Sequence, residues 1–147
     1  MPRIHNVLRS RYLELSLYED TKSREWIRYT LEYGTMEQGE YRVLECLSDS
    51  ELFFDAYIDP EIPNLIAQMN HLLTGNLHHF TFQPVDERDF VLEMRSIDGS
   101  LFSLHLSSDC FDTKAGQLME YTFMVSKDEI ERFSSQLSTA YTALRLH

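Results

Sequence analysis

Between Leu118 and Leu144 the chain reads LMEYTFMVSKDEIERFSSQLSTAYTAL, and this stretch decides the fold. From Leu118 to Val125 side chains alternate, with Met119, Tyr121, Phe123 and Val125 on one side, which is the period of a strand with one buried face. At Ser126 the period changes. Ile130, Phe133, Leu137, Tyr141 and Leu144 recur at helical spacing through about Arg145. Ser126-Lys127-Asp128-Glu129 has the form of a capping box, in which the serine accepts from the third amide and Glu129 reaches back. Asp128 and Glu129 also complement the positive end of the helix dipole. A strand running straight into a capped amphipathic helix implies a sheet with a helix laid on it.

The rest of the chain repeats that logic. Tyr12–Tyr18 alternates Leu13, Leu15 and Leu17 against Glu14 and Ser16, and Trp26–Tyr33 places Ile27, Tyr29, Leu31 and Tyr33 on one side. Thr35–Gly39 reads as a turn, Tyr41–Leu47 as a third strand and Glu51–Ile58 as a fourth. After Asp59-Pro60 the period shifts: Ile62, Leu65, Ile66, Met69, Leu72 and Leu73 mark a helix over 60–74, with Pro63 in its first turn and Gly75 at its stop. Leu77–Gln83, Asp89–Ile97 and Leu101–Ser107 are further strands, the last two joined through Asp98-Gly99, a strong hairpin signal. Asp109–Gly116 reads as a loop. The order is ββββ-α-ββββ-α, and short connections demand antiparallel pairing. The expectation is an α+β fold, a curved antiparallel sheet with two packed helices, in a single domain spanning 1–147.

Chemistry is sparse. Cys46 and Cys110 lack C-x-x-C spacing and read as reduced core residues. The histidines at 5, 71, 78, 79, 105 and 147 form no metal motif. No nucleophile elbow, phosphate loop or calcium loop is present, and the glycines at 34, 39, 75, 99 and 116 read as turn glycines. The chain is therefore expected to be neither an enzyme nor a cofactor protein. It also lacks a signal-peptide pattern and any apolar run long enough to span a bilayer, so a cytoplasmic setting is expected, with no membrane partner.

Charge is the informative quantity. The net charge is -11, from 24 acids against 13 Lys and Arg. Through Arg42 the signs balance, seven of each, but from Val43 to Glu87 there is no Lys or Arg, and eight acids contribute -8. Such a field disfavours a phosphate backbone as a direct partner and favours a basic protein. The contact set expected on these grounds is Asp49, Glu51, Asp55, Asp59 and Glu61, with Tyr57 as an aromatic anchor.

The element order, carried by Leu13-Glu14-Leu15-Ser16-Leu17, Trp26-Ile27-Arg28-Tyr29-Thr30-Leu31, Leu72-Leu73-Thr74-Gly75, Phe80-Thr81-Phe82-Gln83-Pro84 and Tyr121-Thr122-Phe123-Met124-Val125 running into Glu129-Ile130-Glu131-Arg132-Phe133, resembles the WapI-like group of bacterial immunity proteins. The resemblance covers about Tyr12 to Leu144. It implies a cytoplasmic immunity protein of bacterial competition, a toxin inhibitor that neutralises a cognate toxin, often a nuclease, by protein–protein contact; the charge window adds that the toxin is basic and is met through the acidic surface, and no contact residue carries over from the resemblance. Rival readings are an anti-defence or nucleic-acid-mimicking inhibitor of a host protein, a small-molecule-binding module with an apolar pocket, and an enzyme using His78, His79 or His105.

Overall fold

The computed structural model describes residues 2–19, 26–53, 61–84, 90–108 and 119–145. Within them lie β1 (Arg3–His5), β2 (Arg11–Glu19), β3 (Trp26–Glu37), β4 (Glu40–Phe53), α1 (Glu61–Leu73), β5 (His79–Phe82), β6 (Val91–Ser96), β7 (Leu101–Ser108), β8 (Met119–Ser126) and α2 (Lys127–Arg145). The expected α+β order holds, and it resolves into two four-stranded antiparallel sheets, β1-β2-β3-β4 and β5-β6-β7-β8.

Alternation decides what is buried. Leu13 and Leu15 on β2 pair with Tyr33 and Leu31 on β3, and all four face the core. Phe80, Phe82, Leu92, Met94, Phe102, Leu104, Leu106, Phe123 and Val125 do the same for the second sheet. One hydrophobic cluster runs through both sheets and both helices. Tyr33 stacks on Tyr121 at 3.6 Å between ring centroids, joining β3 to β8. Helix α2 contributes Ile130, Phe133, Leu137 and Tyr141 to this core, each burial worth about 1.5–3 kcal/mol. Its N-terminus is capped as the sequence implies, Ser126 Oγ accepting from the Glu129 amide at 3.3 Å.

Several local expectations are corrected. β1 carries too few residues to show a period and is legible only through its pairing with β2. The strands expected at Tyr41–Leu47 and from Glu51 are one strand through Phe53, with register shifts opposite Tyr29–Leu31 and Tyr33–Gly34. Those bulges erase the simple alternation that strand reading relies on. Strand β3 runs on through Gly34 and Thr35 to Glu37, so Gly34 is a strand glycine and the turn is confined to Gln38 and Gly39, both at positive φ (52° and 79°). Cys46 is exposed, opposite Glu32 on the side of the sheet away from the core, because the bulge between Val43 and Glu45 shifts the face count by one. The Asp98-Gly99 hairpin forms as expected: Asp98 Oδ1 accepts from the amides of Ser100 and Leu101 at 2.9 and 2.8 Å, which holds its carboxyl below the usual range.

Candidate functional site

Of the expected acidic set, only Glu61 has a described side chain. Asp49 and Glu51 lie on β4, while Asp55, Tyr57 and Asp59, with Cys110, Asp86, Glu87 and the 109–116 loop, lie outside the described residues. Glu61 opens α1 at 5% exposure and offers almost nothing to an outside partner. A first-turn carboxylate on the buried stripe reads from sequence like any solvated helix-cap acid, since only packing sets which way the turn faces.

What the fold gathers instead is a cluster around His5, on the outward face of the first sheet. β1 is an edge strand, and α2 covers that edge. The outward amides of Arg3 and His5 donate to Gln136 Oε1 (3.2 Å) and Glu129 Oε2 (3.0 Å), satisfying groups that otherwise invite strand addition. Glu129 thereby leaves the local role expected of it. Its carboxylate also meets Arg132 at 2.7 Å, Arg9 at 3.4 Å and His5 Nδ1 at 3.2 Å.

His5 is 3% exposed. His5 Nδ1 faces both Arg132 Nη2 at 2.8 Å, which only donates, and Glu129 Oε2 at 3.2 Å, which only accepts, and we assign Nδ1 as acceptor in the shorter contact. In that assignment the imidazole is neutral and its Nε2 proton is donated to Tyr41 Oη at 2.8 Å. Burial pushes the His5 pKa below 6.5; Glu129 opposes this, while Arg9 and Arg132 reinforce it. The unfolded chain therefore binds more protons just below that value. Stability supplied by His5 is complete above about pH 6.5 and is lost as the pH falls through the lower folded-state value. We expect the urea midpoint of the wild type to fall more steeply between pH 7 and 5 than that of His5→Gln. Parallel pH profiles for the two proteins would refute the neutral assignment.

Tyr41 extends the cluster along β4. The Arg3 guanidinium lies 3.7 Å from the Tyr41 ring centroid, a cation–π stack, and meets Glu14 at 2.7 Å. Burial works against the Arg3 charge, but Tyr41 and Glu14 outweigh it and its pKa is raised. Tyr12 meets Tyr41 edge-on at 4.8 Å and donates to Glu32 Oε2 at 2.7 Å; burial first and Glu32 second hold its phenol well above the ordinary range. The charges are layered. Glu14 and Glu129 side chains are 10% and 14% exposed, whereas those of Arg3, Arg9 and Arg132 are 26%, 55% and 43% exposed. Carboxylates lie beneath, guanidiniums above. Sequence offered one signal, the density of Arg and Tyr through Arg42, and reading it needed the pairing of β1 with β2.

His71, His78, His79 and His105 take no part in this cluster. His105 meets Thr122 Oγ1 at 2.6 Å and His71 meets Asn76. Among the described residues no three His, Cys, Asp or Glu converge in metal-ligating geometry, and no helix is long and apolar enough to cross a membrane.

Fold and face together define a class: a two-sheet antiparallel α+β domain presenting an aromatic and guanidinium surface. No family model matches the chain, and no curated protein matches it. Among solved structures it is similar to the plant transcriptional regulator PBF-2, with TM-score 0.50 and 16% identity over 97% of this chain and 88% of that one. WHY3 from Arabidopsis thaliana aligns with TM-score 0.47 and 14% identity over 97% and 86% of the two chains. At such identity the PBF-2 likeness establishes the fold alone.

That likeness corrects the expected function. The fold is shared with a transcriptional regulator, and the immunity-type toxin inhibitor, its basic toxin partner and the exclusion of direct nucleic-acid contact are withdrawn. The physical reason is that net charge sums over the whole surface, whereas contact depends on the atoms facing outward at one place. The resemblance to WapI-like chains is neither strengthened nor weakened by it.

Proposed function

We propose that this chain is a non-catalytic nucleic-acid-binding module that holds a single strand across the face formed by Arg3, Tyr41, Arg9 and Arg132. The observation carrying this reading is the Arg3–Tyr41 stack with the buried Glu14 carboxylate paired to Arg3. A base has a π-face for Tyr41, which stays 41% exposed, and guanidiniums fit phosphate oxygens. A single strand suits this face better than a duplex, because α2 lies against β1 and β2 and α1 against α2, which leaves neither helix standing clear to enter a groove. PBF-2 is a plant transcriptional regulator, and the shared fold is compatible with the same broad class here. The exposed thiol of Cys46 suits a reducing, cytoplasmic setting.

With about three guanidiniums on phosphates, affinity should fall with salt at a log–log slope near about -2. Anisotropy of a fluorescent oligothymidylate at low salt is the test. Tyr41→Ala should weaken binding by about 1–3 kcal/mol, and Arg9→Ala should flatten the salt slope. Absence of binding at low salt, or binding indifferent to both substitutions, would refute the reading.

A further inference from the structure

The turn between β1 and β2 is a built protrusion. Asn6 Oδ1 accepts from the amides of Ser10 (2.8 Å) and Arg11 (3.0 Å), and Asn6 Nδ2 donates to Ser10 Oγ (3.0 Å). The Val7 amide is tied to the Met124 carbonyl at 2.8 Å, and Arg9, at φ 53°, closes the turn. What this fixed loop displays is apolar: Leu8 is 83% exposed and Val7 51%. Held in water by a hydrogen-bonded loop, Leu8 and Val7 form an apolar tip that gains from burial against a partner.

Elsewhere the fold carries a groove with apolar side chains and a charge opposite to that of Arg9. A groove of about 500 Å³ lies between the C-terminus of α1 and the β6–β7 hairpin, lined by Leu72, Leu73, Leu77, His78, Ile97 and Asp98. Ile97 is 54% exposed on its rim. The Asp98 carboxylate and the negative end of the α1 dipole give that rim a negative potential. Beside Leu8 stands Arg9, whose side chain remains 55% exposed despite its contact with Glu129. The groove is of mixed lining, Leu73, Leu77 and Ile97 standing among Thr74, His78 and Ser96, and the charge at its rim is opposite to the one beside Leu8.

We propose that Leu8 of one copy seats in the groove of a second copy, with Arg9 directed toward Asp98, so that the protein self-associates. The two patches are different, so they can be broken separately. Arg9 also borders the proposed binding face, so the contact is tested at Leu8 and Ile97, which lie outside that face.

The test is sedimentation across the micromolar range. Wild-type mass should rise with concentration. Leu8→Asp and Ile97→Asp should each weaken association by about 10- to 100-fold, the value of burying one leucine. An equimolar mixture of the two variants should recover a dimer, because one intact loop then finds one intact groove. Both positions are exposed, so circular dichroism should match the wild type; if either aspartate variant fails to fold, Leu8→Ser and Ile97→Ser replace the pair. A wild type monomeric throughout, association unaffected by the substitutions, or a mixture that stays monomeric would overturn the proposal.

Discussion

Gly34→Ala is expected to destabilise the protein by about 3 kcal/mol or more, the upper range for overpacking, and to lower the urea midpoint accordingly. A Cβ at this position collides with the carbonyl oxygen of Arg42 on β4 and falls 2.7 and 2.9 Å from Cε1 and Oη of Tyr12. Neither neighbour has room to yield. The Arg42 carbonyl belongs to the backbone of the paired strand, beside a register shift. Tyr12 is fully buried, bonded to Glu32 and packed against Tyr41. The constraint at Gly34 is space alone. Gly39 makes the contrast: it has φ 79° and nothing within 4 Å of an added Cβ. Gly39→Ala should therefore cost only about 1–2 kcal/mol, the strain of a left-handed backbone. Equal midpoints for Gly34→Ala and the wild type would mean that β4 does not approach β3 as described.

The second large effect is expected at Glu129. Its side chain is 14% exposed and serves the His5 amide, Arg132 and Arg9 together. Glu129→Ala strands a buried amide and leaves two guanidiniums against a neutral imidazole with no counter-charge. Removing one partner of such a group costs about 3–5 kcal/mol when fully buried, so about 3 kcal/mol is expected for this partly shielded one. Glu129→Gln keeps an acceptor for the amide and should fall between. Equilibrium denaturation gives the order, and hydrogen exchange at the His5 amide gives the cause, since protection there should drop far more in the alanine variant. An alanine variant within about 0.5 kcal/mol of the wild type, the range of ordinary surface substitutions, would sink this account.

These two residues mark where sequence reading stops. Glu129 has the spacing of a capping box, and the cap does form at Ser126. The carboxylate nevertheless spends itself on His5, 124 positions away. Gly34 reads as a turn because glycine punctuates turns, yet here it admits a neighbouring strand. The charge window meets the same limit. A count over Val43–Glu87 has no means of knowing that Glu61 turns inward or that Arg3, Arg9 and Arg132 are more exposed than the Glu14 and Glu129 carboxylates they pair with.

By itself the sequence determined both helices, the Asp98-Gly99 hairpin, the alternating faces of β2 and β3 and the ββββ-α-ββββ-α order. Periodicity and capping are properties of contiguous chain, decided within one or two turns of backbone. Tertiary structure alone decided the division into two sheets, the covering of β1 by α2, the uninterrupted β4 and the assembly of Arg3, His5, Tyr12, Tyr41 and Glu129. Each of these depends on which distant groups meet, and a hydrogen bond or an ion pair is chosen by proximity in space.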